Sequence, residues 1–224
     1  MCGRYTLTKV DDILTELEAE TGDVELAPRY NIAPTQSVPV VRANREGDGR
    51  EVRVMRWGLI PFWAKEAKIG SRMINARSES VAEKASFKTP LKRSRCLVLA
   101  DGFYEWLKTE SGKQPYHIHL AENRPFTFAG LWDRWTKGPE GVVESFTILT
   151  TTANEKVSAL HERMPVILDG EARDIWLDRS VEDAETLVPL LRPFESAKID
   201  YCPVSTAVNN VKNDQPDCVR PIEL

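Results

Sequence analysis

The sequence predicts a strand-rich α+β protein in which residues 1–224 form one domain, and three observations carry that expectation. Four β-rich runs follow one another between short turn signals from residue 96 onward, which implies an antiparallel meander. Helical periodicity is confined to a few short segments. No repeat, low-complexity tract or linker divides the 224 residues, a length that fits a single core. With 42% hydrophobic and 29% charged residues, the composition is that of a globular chain.

Near the N-terminus, residues 11–22, "DDILTELEAETG", place Ile13, Leu14 and Leu17 on one helical face and end at Gly22, a helix-stop residue. "SVPVV" and "EVRVMRW" flank the polar "NREGDGR", and Val52 and Val54 alternate with charged neighbours, as in a hairpin. "CLVLADGFYEWLKT", "PYHIHLA", "FTFAGLWDRW" and "SFTILTTT" are the four strand runs, separated by "ESGKQ", "ENRP" and "KGPEG". Asn154 is placed to cap a helix through "EKVSALHERM" that Pro165 ends. Ser180 and Asp183 open another, "VEDAETLVPLLR", which Pro189 kinks or shortens.

Arg4, Lys9, Asp11 and Asp12 interrupt any apolar signal core, and no apolar run approaches a membrane span, so a cytoplasmic chain without membrane association is expected. The four cysteines, at 2, 96, 202 and 218, are too sparse and irregular for a disulfide framework or zinc ribbon and read as free thiols. A net charge of −4 argues against a sequence-independent duplex binder but leaves room for a local basic groove.

The second residue is the most informative. Removal of Met1 would leave Cys2 with a free α-amine whose ordinary pKa, about 8 against about 10.4 for lysine, keeps a useful fraction neutral and able to condense with an aldehyde. The thiol one carbon away would then close on the imine carbon at high effective concentration, giving a five-membered thiazolidine. The same terminus also suits acyl transfer by an N-terminal nucleophile, and a buried cysteine that opens a strand is the inert alternative. Glu105, between Tyr104 and Trp106, becomes a proton-transfer group if desolvated and a solvent-face residue if not. His161, in "HERMP", reads either as a proton shuttle near neutral pH or as a histidine at a helix C-terminus. His117 and His119 share a strand face but lack a third ligand, so a solvated face rather than a metal site is expected. "WGLIPFWA" offers Trp57 and Trp63 for base stacking, with at least one of the two expected in the core. Asn75 and Arg77 in "INARSES" supply a neutral hydrogen-bonding group and a phosphate fork.

The ordered set "MCGRY", "RYNIAPTQ", "WGLIPFWA", "INARSES", "RCLVLADGFYEW", "AGLW", "TILTTTAN", "HERMP" and "VSTAVNNVKNDQPDCV" resembles the SOS-response-associated peptidase family, whose members shield abasic sites in single-stranded DNA. Leu99 departs from the proline expected before "ADGFYEW". The resemblance implies a compact, barrel-like antiparallel β core with peripheral helices, acting as a monomer, nucleoid-associated when on DNA and needing no cofactor or metal. It implies that Cys2 is the nucleophile that captures the abasic sugar, that Asn75 orients it, and that Glu105 and His161 move protons. Arg4 and Arg77, with Arg72 and Arg163, would contact phosphates, and the loop around Trp63 would separate bases beside the lesion. A thiol peptidase and a reversible, non-catalytic single-strand binder are the competing functions, and weak strand-cleaving lyase chemistry is an expected side reaction.

Overall fold

The computed structural model describes residues 2–110, 112–138 and 141–224. Along them run β1 (Tyr5–Leu7), α1 (Val10–Leu17), β2 (Ala19–Glu20), β3 (Arg29–Ile32), β4 (Ser37–Ala43), β5 (Arg50–Trp57), β6 (Asn75–Arg77), α2 (Ala85–Arg93), β7 (Arg95–Ala100) and β8 (Gly102–Thr109). They are followed by β9 (Gly112–Leu120), β10 (Phe126–Gly138), β11 (Gly141–Thr152), α3 (Glu155–Ser158), β12 (Arg163–Pro165), β13 (Ile167–Leu168), α4 (Glu171–Leu177), α5 (Ala184–Leu187) and β14 (Ile199–Pro203).

The alternation in "SVPVV" and "EVRVMRW" forms the expected hairpin, with Ser37 of β4 opposite Arg56 of β5 and Ala43 opposite Arg50. From β4 the antiparallel ladder passes through β7 and β10 to β11. It closes when β11 pairs in parallel with β5, Ser145 opposite Arg56 and Phe146 opposite Trp57. The result is a five-stranded ring, which leaves these strands no open edge. Trp57, Phe126, Phe128 and Phe146 are buried in the core cluster. Leu99, the departure from the expected proline, is also fully buried, opposite Thr127.

The expected meander divides between two sheets. "CLVLADGFYEWLKT" breaks at Asp101: β7 stays in the barrel, while β8 turns into a second sheet of order β14-β9-β8-β1-β3. The break has a local cause. The Asp101 carboxylate accepts hydrogen bonds from Thr6 Oγ1 (2.5 Å), the Thr8 amide (2.5 Å), Thr8 Oγ1 (2.6 Å) and the Lys9 amide (2.9 Å), tying the corner to the end of β1. Gly102 lets the chains approach, since a Cβ there would lie 2.1 Å from His117 Nε2. The second sheet packs one face into the barrel core: Tyr5 meets Trp57 at 5.2 Å and Phe128 at 5.9 Å between ring centroids, and Phe103 meets Phe128 at 6.0 Å.

Helices lie at the periphery and are shorter than their patterns suggest. α1 stops at Leu17 because Glu18 takes a left-handed conformation (φ 50°) and its amide turns back to the Leu14 and Thr15 carbonyls, four residues before Gly22. Asn154 does cap α3, its side chain accepting from the Val157 amide at 2.9 Å, but α3 ends at Ser158, and "RMP" becomes strand β12 beside β11. Asp183 rather than Ser180 caps α5, which gives way to a 3-10 turn (Val188–Leu190) at Pro189. Among the described residues no helix is long and apolar enough to cross a membrane.

Candidate functional site

Cys2 is fully buried, where β1 enters the barrel core. Asn75, positioned by the parallel pairing of β6 with β11 opposite Ile148, donates from Nδ2 to the Cys2 carbonyl at 2.7 Å. The Cys2 backbone is therefore held by a side chain 73 positions away, which fixes its direction. Burial, reinforced by the charge of Glu105, pushes the Cys2 thiol up to about 12. The thiol rather than the thiolate is the resting form at neutral pH.

Glu105 is 4% exposed on β8, so both it and Tyr104 are shielded and the solvent-face alternative fails. Burial raises its carboxyl above the ordinary range, while His161 pulls it back down. A carboxyl balanced in this way is suited to passing a proton. His161 follows α3 in a turn rather than ending a long helix, and its Nδ1 accepts the Arg163 amide at 2.9 Å. That acceptor role puts the proton of the neutral ring on Nε2. Cys2, Asn75, Glu105 and His161, expected together from the resemblance, do converge here.

The arginines separate. Arg77 is exposed at the end of β6, and Arg72 is exposed at the end of a 3-10 turn (Ala67–Arg72). Arg4 is half-buried, with Nη1 donating to Asn31 Oδ1 and to the Val208 carbonyl, each at 2.8 Å, and its guanidinium 5.8 Å from the Trp106 ring. Arg163 is not available to a strand in the way expected of a phosphate contact. It is buried beside β11, forked onto Glu79 at 2.5 and 3.0 Å and bonded to the Thr150 carbonyl at 2.7 Å, so its donors face the protein.

Trp57 and Trp63 divide as their loop reverses at Gly58 (φ 121°), where a Cβ would meet the Gly70 carbonyl oxygen at 2.6 Å. Trp57 is wholly buried with Nε1 on the Ile74 carbonyl at 2.9 Å. Trp63 is 42% exposed and Phe62 56%, and beside Trp63 opens a cavity of about 540 Å³ whose cationic walls are Lys65, Lys68 and Arg72. Stacking surface and cations thus adjoin.

His117 corrects another expectation, for it is buried rather than solvated. Its Nε2 lies 3.3 Å from Thr6 Oγ1, and its ring is 5.1 Å from Tyr104 and 5.6 Å from His119. Burial, then the neighbouring His119, depresses its pKa to about 4, with Asp101 opposing. No cluster of three metal-ligating side chains occurs among the described residues. Reading the sequence missed Asn31 and Asp214, which lock the C-terminal segment in place. Asp214 accepts the Tyr30 and Asn31 amides at 2.5 and 2.9 Å, and Asn31 Nδ2 reaches the Val208, Asn210 and Asn213 carbonyls. Their only signal was polarity inside otherwise motif-like stretches.

A closed barrel joined to a second sheet, with a near-terminal cysteine set against a buried carboxyl, an amide and an imidazole, agrees with the sequence profile. The chain belongs to the SOS response associated peptidase (SRAP) family, whose profile matches residues 1–211. It is 39% identical over 223 residues to the abasic site processing protein YoqW of Bacillus subtilis (strain 168), covering 98% of this chain and 99% of that protein. It is 42% identical over 228 residues to the abasic site processing protein HMCES of Gallus gallus, covering 88% of this chain and 67% of that protein. Among solved structures, a protein from Bacteroides thetaiotaomicron superposes with a TM-score of 0.89 at 28% identity, over 99% of this chain and all of the other.

Proposed function

We propose that this protein binds single-stranded DNA at abasic sites and, once Met1 has been removed by an aminopeptidase or by the protein itself, captures the lesion covalently through Cys2. The observation that carries the reading is Asn75 holding the Cys2 carbonyl at 2.7 Å in a buried pocket shared with Glu105 and influenced by His161. The names of relatives that match nearly the whole chain support the substrate.

The ring-opened abasic sugar presents an aldehyde at C1′. The neutral α-amine of Cys2 adds to that carbon, and the carbinolamine loses its hydroxyl as water once a group such as Glu105, whose raised pKa keeps it protonated further up the pH scale, supplies a proton. The thiol then adds across the imine: sulfur bonds to C1′ and its proton passes to nitrogen. One water leaves overall and no redox partner is required. A thiol held near 12 needs a neighbouring acceptor at this step, which is the second use of Glu105 and His161. Trp63 and Phe62 would stack on flanking bases while Arg77 and Arg72 meet phosphates. An imine at C1′ also acidifies the C2′ protons, which gives a weak lyase side reaction.

The expected result is that Cys2→Ala folds normally and forms no heat-stable adduct with an abasic single strand. An equally stable adduct from Cys2→Ala would contradict the reading. Cleavage of a peptide other than the Met1–Cys2 bond would favour the thiol peptidase, and salt-sensitive binding indifferent to the lesion would favour the reversible binder.

A further inference from the structure

A second basic concavity lies away from Cys2. Along β11 the strand register places Asn75 opposite Ile148, whereas Arg42, at the far end of β4 from Ser37, reaches Glu144, four residues earlier in the strand. Here Arg42, Arg45, Arg93, Arg95, Arg179 and Trp132 surround a cavity of about 290 Å³. Five arginines and one acid, Glu51, line this small space in a chain whose net charge is −4, so the local sign is not inherited from the whole.

The acids nearby are already engaged. Glu51 and Glu144 both pair with Arg42, at 2.8 and 3.4 Å. Glu182 pairs with Arg93 at 3.4 Å, and the Asp178 carboxylate accepts the amide and hydroxyl of Ser180. Arg45, Arg95 and Arg179 form no ion pair among the described residues. Arg95 is held by the Trp176, Leu91, Lys92 and Asp178 carbonyls, so it lends the wall positive charge, offset in part by Asp178 and Glu182, rather than free donors. Burial lowers its pKa to about 10, which still leaves it charged at neutral pH. Arg179 is likewise anchored by the Asn44 and Arg45 carbonyls. Arg42 spends Nε and Nη1 on carboxylates, Nη2 has no partner among the described residues, and its guanidinium lies 4.4 Å from the Trp132 ring.

We infer that this concavity is a second binding site, one that takes phosphate groups, either of a nucleic-acid strand running past the barrel or of a free pyrophosphate-bearing nucleotide. Arg45 and Arg179, which have no counter-ion among the described residues, and the remaining Nη2 of Arg42 supply donors for phosphate oxygens through charge-assisted hydrogen bonds. The inference is independent of the lesion chemistry at Cys2.

The test uses the whole protein with Arg45→Glu and Arg179→Glu, singly and together. Arg45 has no hydrogen-bonding role for its side chain among the described residues, so its variant stays readable if the Arg179 change loosens the loop. Calorimetry with inorganic pyrophosphate, and anisotropy with a long and a short lesion-free single strand, read the two sources separately. Each charge reversal is expected to weaken the bound probe about tenfold or more. Loss of pyrophosphate binding assigns the site to free phosphate compounds, and loss confined to the long strand assigns it to the nucleic-acid backbone. Unchanged affinity for every probe in the double variant overturns the proposal. Crosslinking of a short abasic strand, measured in parallel, should be the same in all variants and reports on Cys2 alone.

Discussion

On the sheet β14-β9-β8-β1-β3, side chains alternate between two faces. The inner face sends Tyr5, Phe103 and Ile118 into the barrel core and carries Glu105 toward the region of Cys2. On the outer face Tyr104 packs with Val204, Val208 and Cys218, with Trp106 and Tyr30 alongside. Each face buries titratable groups, yet with different results. Glu105 is raised beside the Cys2 thiol and the His161 imidazole, whereas His117 is depressed inside an enclosure made by Thr6, Tyr104, His119 and the Gly102 backbone. Burial perturbs both pKa values, but of the two only Glu105 shares its space with a thiol, which is the setting the proposed chemistry needs.

If that division holds, removing the Glu105 carboxyl should alter rate without stability, and removing the His117 imidazole should alter stability without rate. Glu105→Gln is expected to slow adduct formation about 10²- to 10⁴-fold at unchanged melting temperature. In the unmodified protein the rate should fall as pH rises through the raised pKa of Glu105, because the carboxyl then loses the proton it donates, and this descending limb should be missing in the Gln variant.

His117 predicts acid sensitivity on the outer face. Its imidazole takes up a proton below pH 6.5 when unfolded but only near 4 when folded, so stability present above 6.5 is lost as pH falls toward 4. The loss is about 3 kcal/mol at most, read from urea midpoints at descending pH, and His117→Gln should flatten that dependence.

Asn31 ties the outer face to the chain end through the Val208, Asn210 and Asn213 carbonyls and through Arg4. Asn31→Ala should cost about 2–3 kcal/mol in chemical unfolding and also weaken binding of single strands, since Arg4 loses its orienting acceptor. Trp63 belongs to neither face. Trp63→Ala should weaken strand binding by about 1–3 kcal/mol at constant melting temperature.

The hairpin β4–β5 was legible because one strand face alternates with charge, and the helix start at Asn154 because a side-chain cap is a local device. The break between β7 and β8 was not legible. It depends on Asp101 meeting Thr6, Thr8 and Lys9, more than ninety positions earlier, inside a run that reads as one continuous strand. The shortened helix before His161 has the same origin, since pairing of β12 with β11 outcompetes a helical pattern. Of the site, the cysteine and the carboxyl between aromatics were visible as chemistry, but their meeting came only from the family resemblance. The latch from Asn31 to Asp214 spans 183 positions and left no pattern to read.

The measurement that bears most directly on the central claim is the intact mass of Met1-processed protein after incubation with a single strand carrying one abasic site, followed by peptide mapping of the adduct. The expected product weighs the sum of the two partners minus one water, survives heating without borohydride and maps to Cys2. An adduct that maps elsewhere, or one that survives only after borohydride reduction, would contradict thiazolidine capture at this residue.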